Sequence, residues 1–533
     1  MNGLNDAMDH GENAAIVDAA DNSFLGRVDD EGTLGNHNSD NDRNSESHLD
    51  NGKNDFFGRP CANHGNGTAE RSSLIIPNRS SYMAKRPNYF ALIRQFWRYC
   101  GPGYMIAVGY MDPGNWATDL EAGSRYGYAL LFVILLSNVM AMILQHLCVR
   151  LGVTARMDLA EACRARMPKW ANLPMYLIAE VAIISCDLSE VIGTAIALKL
   201  LFGIPIVYGV LITVCDVLLL LGGLGSGNES SSYRLLEALV MILMTVIGVC
   251  FVIELLIVKP EWGQVFRGFL PFKASRLVFT DRHALFSALG IIGATVMPHN
   301  LYLHSSIVQH NISNNDEEDS VVGSPTDCSK IDSIINWSTI DSTVALFFAL
   351  FINSAILITA AAAFYSRGRH EVHQIEEASA LMREWLGPVS AIVFGFALLA
   401  AGQSSAVTGT VAGQIVFEGH LKMRMAPWVR RLVTRGVAII PALLIILLTG
   451  EESVNELLIY SQVILSVQLP FAIIPLIVFT FTPDEQAKVD PKMIEYWTRR
   501  GHSKWEWWLK SSAVFIAGIM VVLNLMFLAT AFF

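Results

Sequence analysis

Two short segments of this 533-residue chain carry side chains that could hold a cation in apolar surroundings: Met111-Asp112-Pro113-Gly114-Asn115 and Met297-Pro298-His299-Asn300. Both fall inside long apolar runs and both contain the pattern Pro-x-Asn. Proline removes a backbone amide and clashes with the preceding turn, and glycine permits a sharp bend, so each segment predicts an interrupted helix. The donors gathered there are a carboxylate (Asp112), an amide oxygen (Asn115) and a thioether (Met297). Unwound backbone adds carbonyls about one turn earlier, at Gly109 and Ala294. Oxygen ligands alone suit Mg²⁺ or Ca²⁺, whereas a soft sulfur shifts preference to later divalent ions. A carboxylate in the middle of a membrane is costly unless it is paired, protonated or bound to a cation.

The elements that must position these donors are membrane helices. The chain is 52% apolar and only 16% charged, against about 25% charged in soluble domains. Apolar runs near the roughly 20 residues that cross a bilayer lie at about 92–122, 128–150, 173–202, 205–224, 235–258, 284–310, 341–365, 388–416, 436–449, 457–481 and 511–532. This predicts an all-α polytopic membrane protein with eleven spans, the ninth short and preceded by a basic stretch. Residues 1–85 form a polar tail rich in Asn, Asp, Ser and Gly, which predicts disorder. Its first 80 residues hold 14 acids and 6 Lys or Arg, a net of −8 of the chain's −10. The membrane part, 86–533, is therefore almost neutral and offers no basic surface for nucleic acid. Eight cysteines without a CxxC pair do not support a zinc site or a disulfide scaffold.

Basic residues set the orientation. With the tail in the cytoplasm, the inner segments collect Lys85, Arg86, Arg94 and Arg98, then Arg150, Arg156, Arg164, Arg166 and Lys169. Further along they collect Lys422, Arg424, Arg430 and Arg431, and then Lys488, Lys492, Arg499, Arg500 and Lys504. An odd span count places the C-terminus outside. Five glycosylation sequons, at Asn66, Asn78, Asn228, Asn311 and Asn336, then fall in the tail or in inner loops, including one at about 311–340, and are expected to stay unmodified.

The third span carries Glu180, Asp187 and Glu190, whose separations of seven and three put them on one helical face. Three acids on one stripe of a membrane helix read as a proton relay or as an ion-pair network with a basic partner. His299 and His304, on and after the second break, can titrate near neutral pH. His299 is the better proton carrier, and His304 fits a hydrogen-bonded packing residue equally well. Asp216 is a further membrane acid without an assigned role, and His370 and His373 form an HxxH that reads as solvated surface.

The first and sixth spans would correspond if spans 1–5 and 6–10 are inverted repeats, and paired broken helices point to a transporter's midplane site. At these residues the sequence resembles the Nramp family of proton-coupled divalent metal transporters. The likeness continues through Ala401-Gly402-Gln403-Ser404-Ser405 and Leu469-Pro470-Phe471-Ala472, and covers about 90–530. The resemblance implies a LeuT-like fold: repeat one over about 92–258, repeat two over about 284–481, and an extra helix. It also implies metal held by Asp112, Asn115, Met297 and the carbonyls of Gly109 and Ala294. Gln462 resembles a tenth-span glutamine that completes the shell in one conformation. Arg435 resembles the family's proton-path arginine by its spacing to Pro441, and Arg431 by its neighbours.

The expected function is proton-coupled import of Mn²⁺ or Fe²⁺, with Co²⁺ and Cd²⁺ as further cargo, into the cytosol across the plasma membrane. A carrier of organic cations and a transport-dead sensor are the competing readings. The mixed ligands argue against the first, and the intact ligands against the second. No P-loop is present, no enzyme activity or cofactor is expected, and protein partners are not specified by the sequence.

Overall fold

The computed structural model describes residues 102–213, 229–318, 328–368, 375–450, 453–482 and 503–532. The polar tail, Asp216, His370 and His373 lie outside these residues. The described part is helical: α1 (Pro102–Gly109), α2 (Pro113–Tyr126), α3 (Leu131–Ala155), α4 (Leu159–Arg166), α5 (Lys169–Phe202) and α6 (Glu229–Val258). Next come α7 (Trp262–Gly268), α8 (Pro271–Thr280), α9 (Arg282–Thr295), α10 (Pro298–Glu318) and α11 (Cys328–Ala363). The rest are α12 (Ile375–Leu386), α13 (Pro388–Leu421), α14 (Pro427–Thr449), α15 (Val454–Phe481) and α16 (Lys504–Phe532). Among the described residues nine helical stretches are long and apolar enough to cross a membrane. One of them, Pro113–Ala155, holds the second half of the predicted first span together with the second. The predicted fourth span is described only to residue 213, with 206–213 helical.

Both predicted breaks are present. α1 ends at Gly109 and α2 restarts at Pro113, with Asp112 as its N-cap in an extended conformation. Proline suits the first position of a helix because the amide it lacks has no partner there. In the same way α9 ends at Thr295 and α10 begins at Pro298. The halves pack crosswise, α2 against α9 and α1 against α10, while α5 and α13 form the most extensive pairing in the molecule.

Two sequence expectations are corrected. Arg430 and Arg431 do not lie in a loop. α14 starts at Pro427, and both side chains are buried within it, because acids on α5 neutralise them. Nor is 311–340 a loop: α10 continues to Glu318 and α11 starts at Cys328. Arg150 is likewise withdrawn from the surface, 2.8 Å from Glu506 of α16.

The short helix α4 ties the ends of three long helices together. Its Leu159 amide donates to Ser305 Oγ of α10 at 3.0 Å, and Gln309 of α10 donates to the Arg156 carbonyl at 2.9 Å. Arg164 donates to the carbonyls of Glu418 and Gly419 in α13. Arg166 donates to those of Phe479, in α15, and Thr482, just after it. A cavity of about 610 Å³ opens beside α4, lined in part by Asp158, Glu161, Gln309, Glu418 and Lys422.

Asp158 begins α4 with a capping box: the Glu161 amide donates to Asp158 Oδ1 at 2.8 Å, and Glu161 Oε2 accepts from the Asp158 amide at 3.2 Å. Burial, reinforced by the Glu161 charge, pushes the Asp158 carboxyl up from 3.8 to about 7. The folded state therefore holds this proton more tightly than the unfolded chain does. The group's contribution to stability rises as pH falls through about 7 and is lost as pH rises through it. Asparagine caps a helix about as well as aspartate. Asp158→Asn is thus expected to keep the cap and flatten this slope. Thermal unfolding of detergent-solubilised protein on both sides of neutral pH measures it, and identical slopes would exclude the assignment.

Candidate functional site

The site is built where the two breaks meet. Asp112 is fully buried and its Oδ1 accepts from the Asn115 amide at 2.9 Å and from Asn115 Nδ2 at 2.6 Å. The same Nδ2 donates to the Ala294 carbonyl at 3.0 Å. One NH₂ group therefore bridges the carboxylate of the first break to the exposed carbonyl of the second. Its partial positive charge lies between the two oxygens that a bound cation would use. Rotating the amide half a turn would withdraw the donors and present Asn115 Oδ1 as a third oxygen.

Met297 is fully buried and packs with Ala182 and Cys186 of α5 and Leu465 of α15. Gln462 lies against the first break, so close that a Cβ on Gly114 would sit 1.9 Å from its Nε2. Its Oε1 is buried without a hydrogen-bond partner, an acceptor left over beside the site. Gly109 lacks a side chain for a comparable reason: a Cβ there would meet Asn300 Nδ2 at 2.3 Å. Both amide atoms of Asn300 are buried and unpartnered, which places another polar group between the breaks. The Pro-x-Asn pattern points at Asn300, although the sequence reading gave it no role.

The acids of α5 all meet arginines of α14. Glu180 pairs with Arg430 at 2.6 Å. Asp187 pairs with Arg431, which also lies 2.9 Å from Glu190. Arg435 reaches the same Glu190 oxygen at 3.2 Å, so both sequence candidates belong to the network, and Arg431 bridges Asp187 and Glu190. Ser405 donates to the other Glu190 oxygen at 2.8 Å. Charge pairing is what makes these burials tolerable, because removing one partner would strand an unneutralised charge.

Ser189 links the two constellations and was missed in the sequence. Its hydroxyl lies 2.8 Å from Asp112 Oδ2 and 2.8 Å from the Cys186 carbonyl, two acceptors for one proton. It sits between Asp187 and Glu190 on α5, so a shift of that helix reaches Asp112 through a single hydrogen bond. The available signal was its position within the acid stripe, but serines in membrane helices commonly bond their own backbone.

The histidines separate. His299 is buried beside Met297 with Nδ1 unpartnered. His304 belongs to a different chain of polar groups: its Nδ1 lies 2.7 Å from Gln145 Oε1, and Gln145 Nε2 donates to the Tyr110 hydroxyl at 2.7 Å. Tyr110 stands at the first break, where its carbonyl accepts from Asn353 Nδ2 at 2.9 Å.

Known proteins resemble this chain over most of its length. The family model described as Natural resistance-associated macrophage protein-like, Nramp, matches residues 103–530. A divalent metal cation transporter, MntH, of Xanthomonas campestris pv. campestris is 54% identical over 382 residues, 72% of this chain and 82% of that protein. Among solved structures, a mutant of the Eremococcus coleocola manganese transporter matches with a TM-score of 0.70 and 35% identity, covering 83% of this chain and 88% of that one. MhsT in complex with L-phenylalanine matches with a TM-score of 0.51 and 15% identity, over 80% of this chain and 98% of that one. At that identity the likeness concerns the fold alone, which is the LeuT-like fold that the family resemblance implied.

Proposed function

The chain belongs to the Nramp family, and from that premise we propose that it imports divalent transition-metal ions, Mn²⁺ or Fe²⁺ first among them, together with protons. It is a multi-pass membrane transporter and not an enzyme. The observation that carries the reading is the Asn115 amide, which draws the Asp112 carboxylate and the Ala294 carbonyl together between the breaks. Met297 adds a thioether at the same break, so the set suits Mn²⁺, Fe²⁺, Co²⁺ and Cd²⁺ better than Mg²⁺ or Ca²⁺. Gln462 and the Gly109 carbonyl complete the shell as the site opens and closes. Proton coupling runs through the α5 acids and their arginines, with Ser189 as the contact to Asp112 and His299 as a second carrier.

Uptake into proteoliposomes tests this with a panel of divalent ions at two values of outside pH. Saturable Mn²⁺ uptake that rises on outside acidification is the expected result. Uptake indifferent to pH would remove the proton, and uptake of Mg²⁺ in preference to Mn²⁺ would remove the ligand assignment.

The transporter resides in the plasma membrane with its N-terminus in the cytoplasm and its C-terminus outside. After the buried arginines are set aside, Arg156, Arg164, Lys422 and Arg424 still mark the inner face. A cysteine placed at Asn228 or Asp316 is expected to stay silent to a membrane-impermeant thiol reagent added from outside. Glycosylation at Asn311 or Asn336 would invert the orientation.

A further inference from the structure

α2 carries a second carboxylate on the face that builds the site. Asp112, Asn115 and Asp119 are separated by three and four residues, which aligns them along one side of the helix. Seven residues of helix put Asp119 about 10 Å from Asp112, too far to share one ion's coordination shell. Asp119 is 1% exposed, and its Oδ2 has no hydrogen-bond partner. The charge acting on it is that of Asp112, itself an acid. Glu121, two residues on, has Arg125 at 3.9 Å.

Packing does not account for such a group. A buried carboxylate without a donor or a counter-ion destabilises the arrangement that buries it. The acids of α5 show how this chain neutralises buried carboxylates elsewhere, with an arginine for each. Asp119 is left bare, in line with the ligands and farther from the break. With the N-terminus in the cytoplasm, α2 runs from the site toward the outside, and Asp119 stands about halfway along it.

We propose that Asp119 forms a second, transient position for the divalent cation, occupied on the way from the outer solution to the site at Asp112. This rests on the transport reading above. The side chain is sealed in the arrangement described here, so it meets a cation only when the outer half opens. A single carboxylate holds a largely hydrated ion weakly, which suits a stopping point that must release its ion inward. Its contribution is to raise the local cation concentration and the rate of loading, as a fixed charge in a low-dielectric cleft does.

The test is Mn²⁺ uptake into proteoliposomes by wild type, Asp119→Asn and Asp119→Glu at matched protein content. Asp119→Asn is expected to raise KM about tenfold, at the lower end of electrostatic effects on loading, with kcat nearly unchanged. Asp119→Glu is expected to restore KM, and the wild-type KM is expected to depend more steeply on ionic strength than that of the asparagine variant. An unchanged KM overturns the proposal, as does an equal fall in rate for every ion. A displaced pH dependence with KM intact overturns it too, by making Asp119 a proton position. If Asp119→Asn does not insert, Asp119→Ser and the ionic-strength dependence of wild type read the same quantity. Absence of Mn²⁺ uptake by wild type would instead fail the transport reading itself.

Discussion

Replacing Met297 with alanine is expected to lower Cd²⁺ transport more than Mn²⁺ transport and to make competition by Ca²⁺ measurable. The loss for Cd²⁺ is expected to reach at least the roughly 10–100-fold that follows removal of even an outer-shell partner at a metal site. What remains is Asp112, Asn115 and two carbonyls, an all-oxygen set. Hard ions gain because they no longer exchange a water oxygen for sulfur, a poor trade for them. The packing around Met297 makes the control necessary. The side chain is fully buried against Ala182, Cys186 and Leu465, so truncation also opens a cavity, costing about 2–5 kcal/mol at comparable sites. A cavity lowers abundance or rate for all metals alike, whereas lost sulfur ligation reorders them. Uptake of Cd²⁺, Mn²⁺ and Ca²⁺ at equal surface expression separates the two, and an unchanged ranking would end the ligand assignment.

Asp187→Asn is expected to abolish most of the acid stimulation of uptake while Mn²⁺ binding changes little. Coupling between two ligands is commonly worth about 5–150-fold in affinity, and this variant removes an acid of the stripe that holds Ser189 against Asp112. Arg431 keeps Glu190 as a partner at 2.9 Å, so the variant does not strand the arginine as a lone buried charge. Arg431→Ala is the contrasting case. It leaves Asp187 without its arginine and Glu190 with Arg435 at 3.2 Å, and breaking such a buried pair typically costs about 3–5 kcal/mol. That variant is expected to fall in abundance as well as in coupling. Acid stimulation and equilibrium Mn²⁺ binding, measured on the same preparation of Asp187→Asn, decide the matter. Equal losses in both would make the network structural.

What could be read from the sequence was what local chemistry dictates. Pro113 with Gly114, and Pro298, each fall beside polar donors in the middle of an apolar run, so both breaks and their donors were visible without a fold. The acid stripe was visible for a similar reason, because helical spacing alone aligns Glu180, Asp187 and Glu190. Of its partners, Arg435 and Arg431 were legible as candidates and both lie in the network, whereas the pairing of Arg430 with Glu180 was not. A run of arginines before an apolar stretch looks like a loop, and only the packing of α14 on α5 turns Arg430, Arg431 and Arg435 into buried counter-ions. The His304, Gln145 and Tyr110 chain escaped for the same reason, since its members come from two separate helices and the first break. Asn300 and Ser189 were hidden by their ordinariness, being small polar residues whose importance lies in what they face.

The ties that α4 makes to α10, α13 and α15 bear on how readily the ends of those helices separate. Each bond is modest alone, about 0.5–1.5 kcal/mol. All of them converge on one short helix, however, so loosening α10 slackens its hold on the other two. Partial opening then forfeits several bonds at once without yet giving the cargo a way through, which makes half-open states scarce. Under the transport proposed above, release is then expected in discrete events with little leak between them, because α4, and not only the residues at the two breaks, holds these helix ends together.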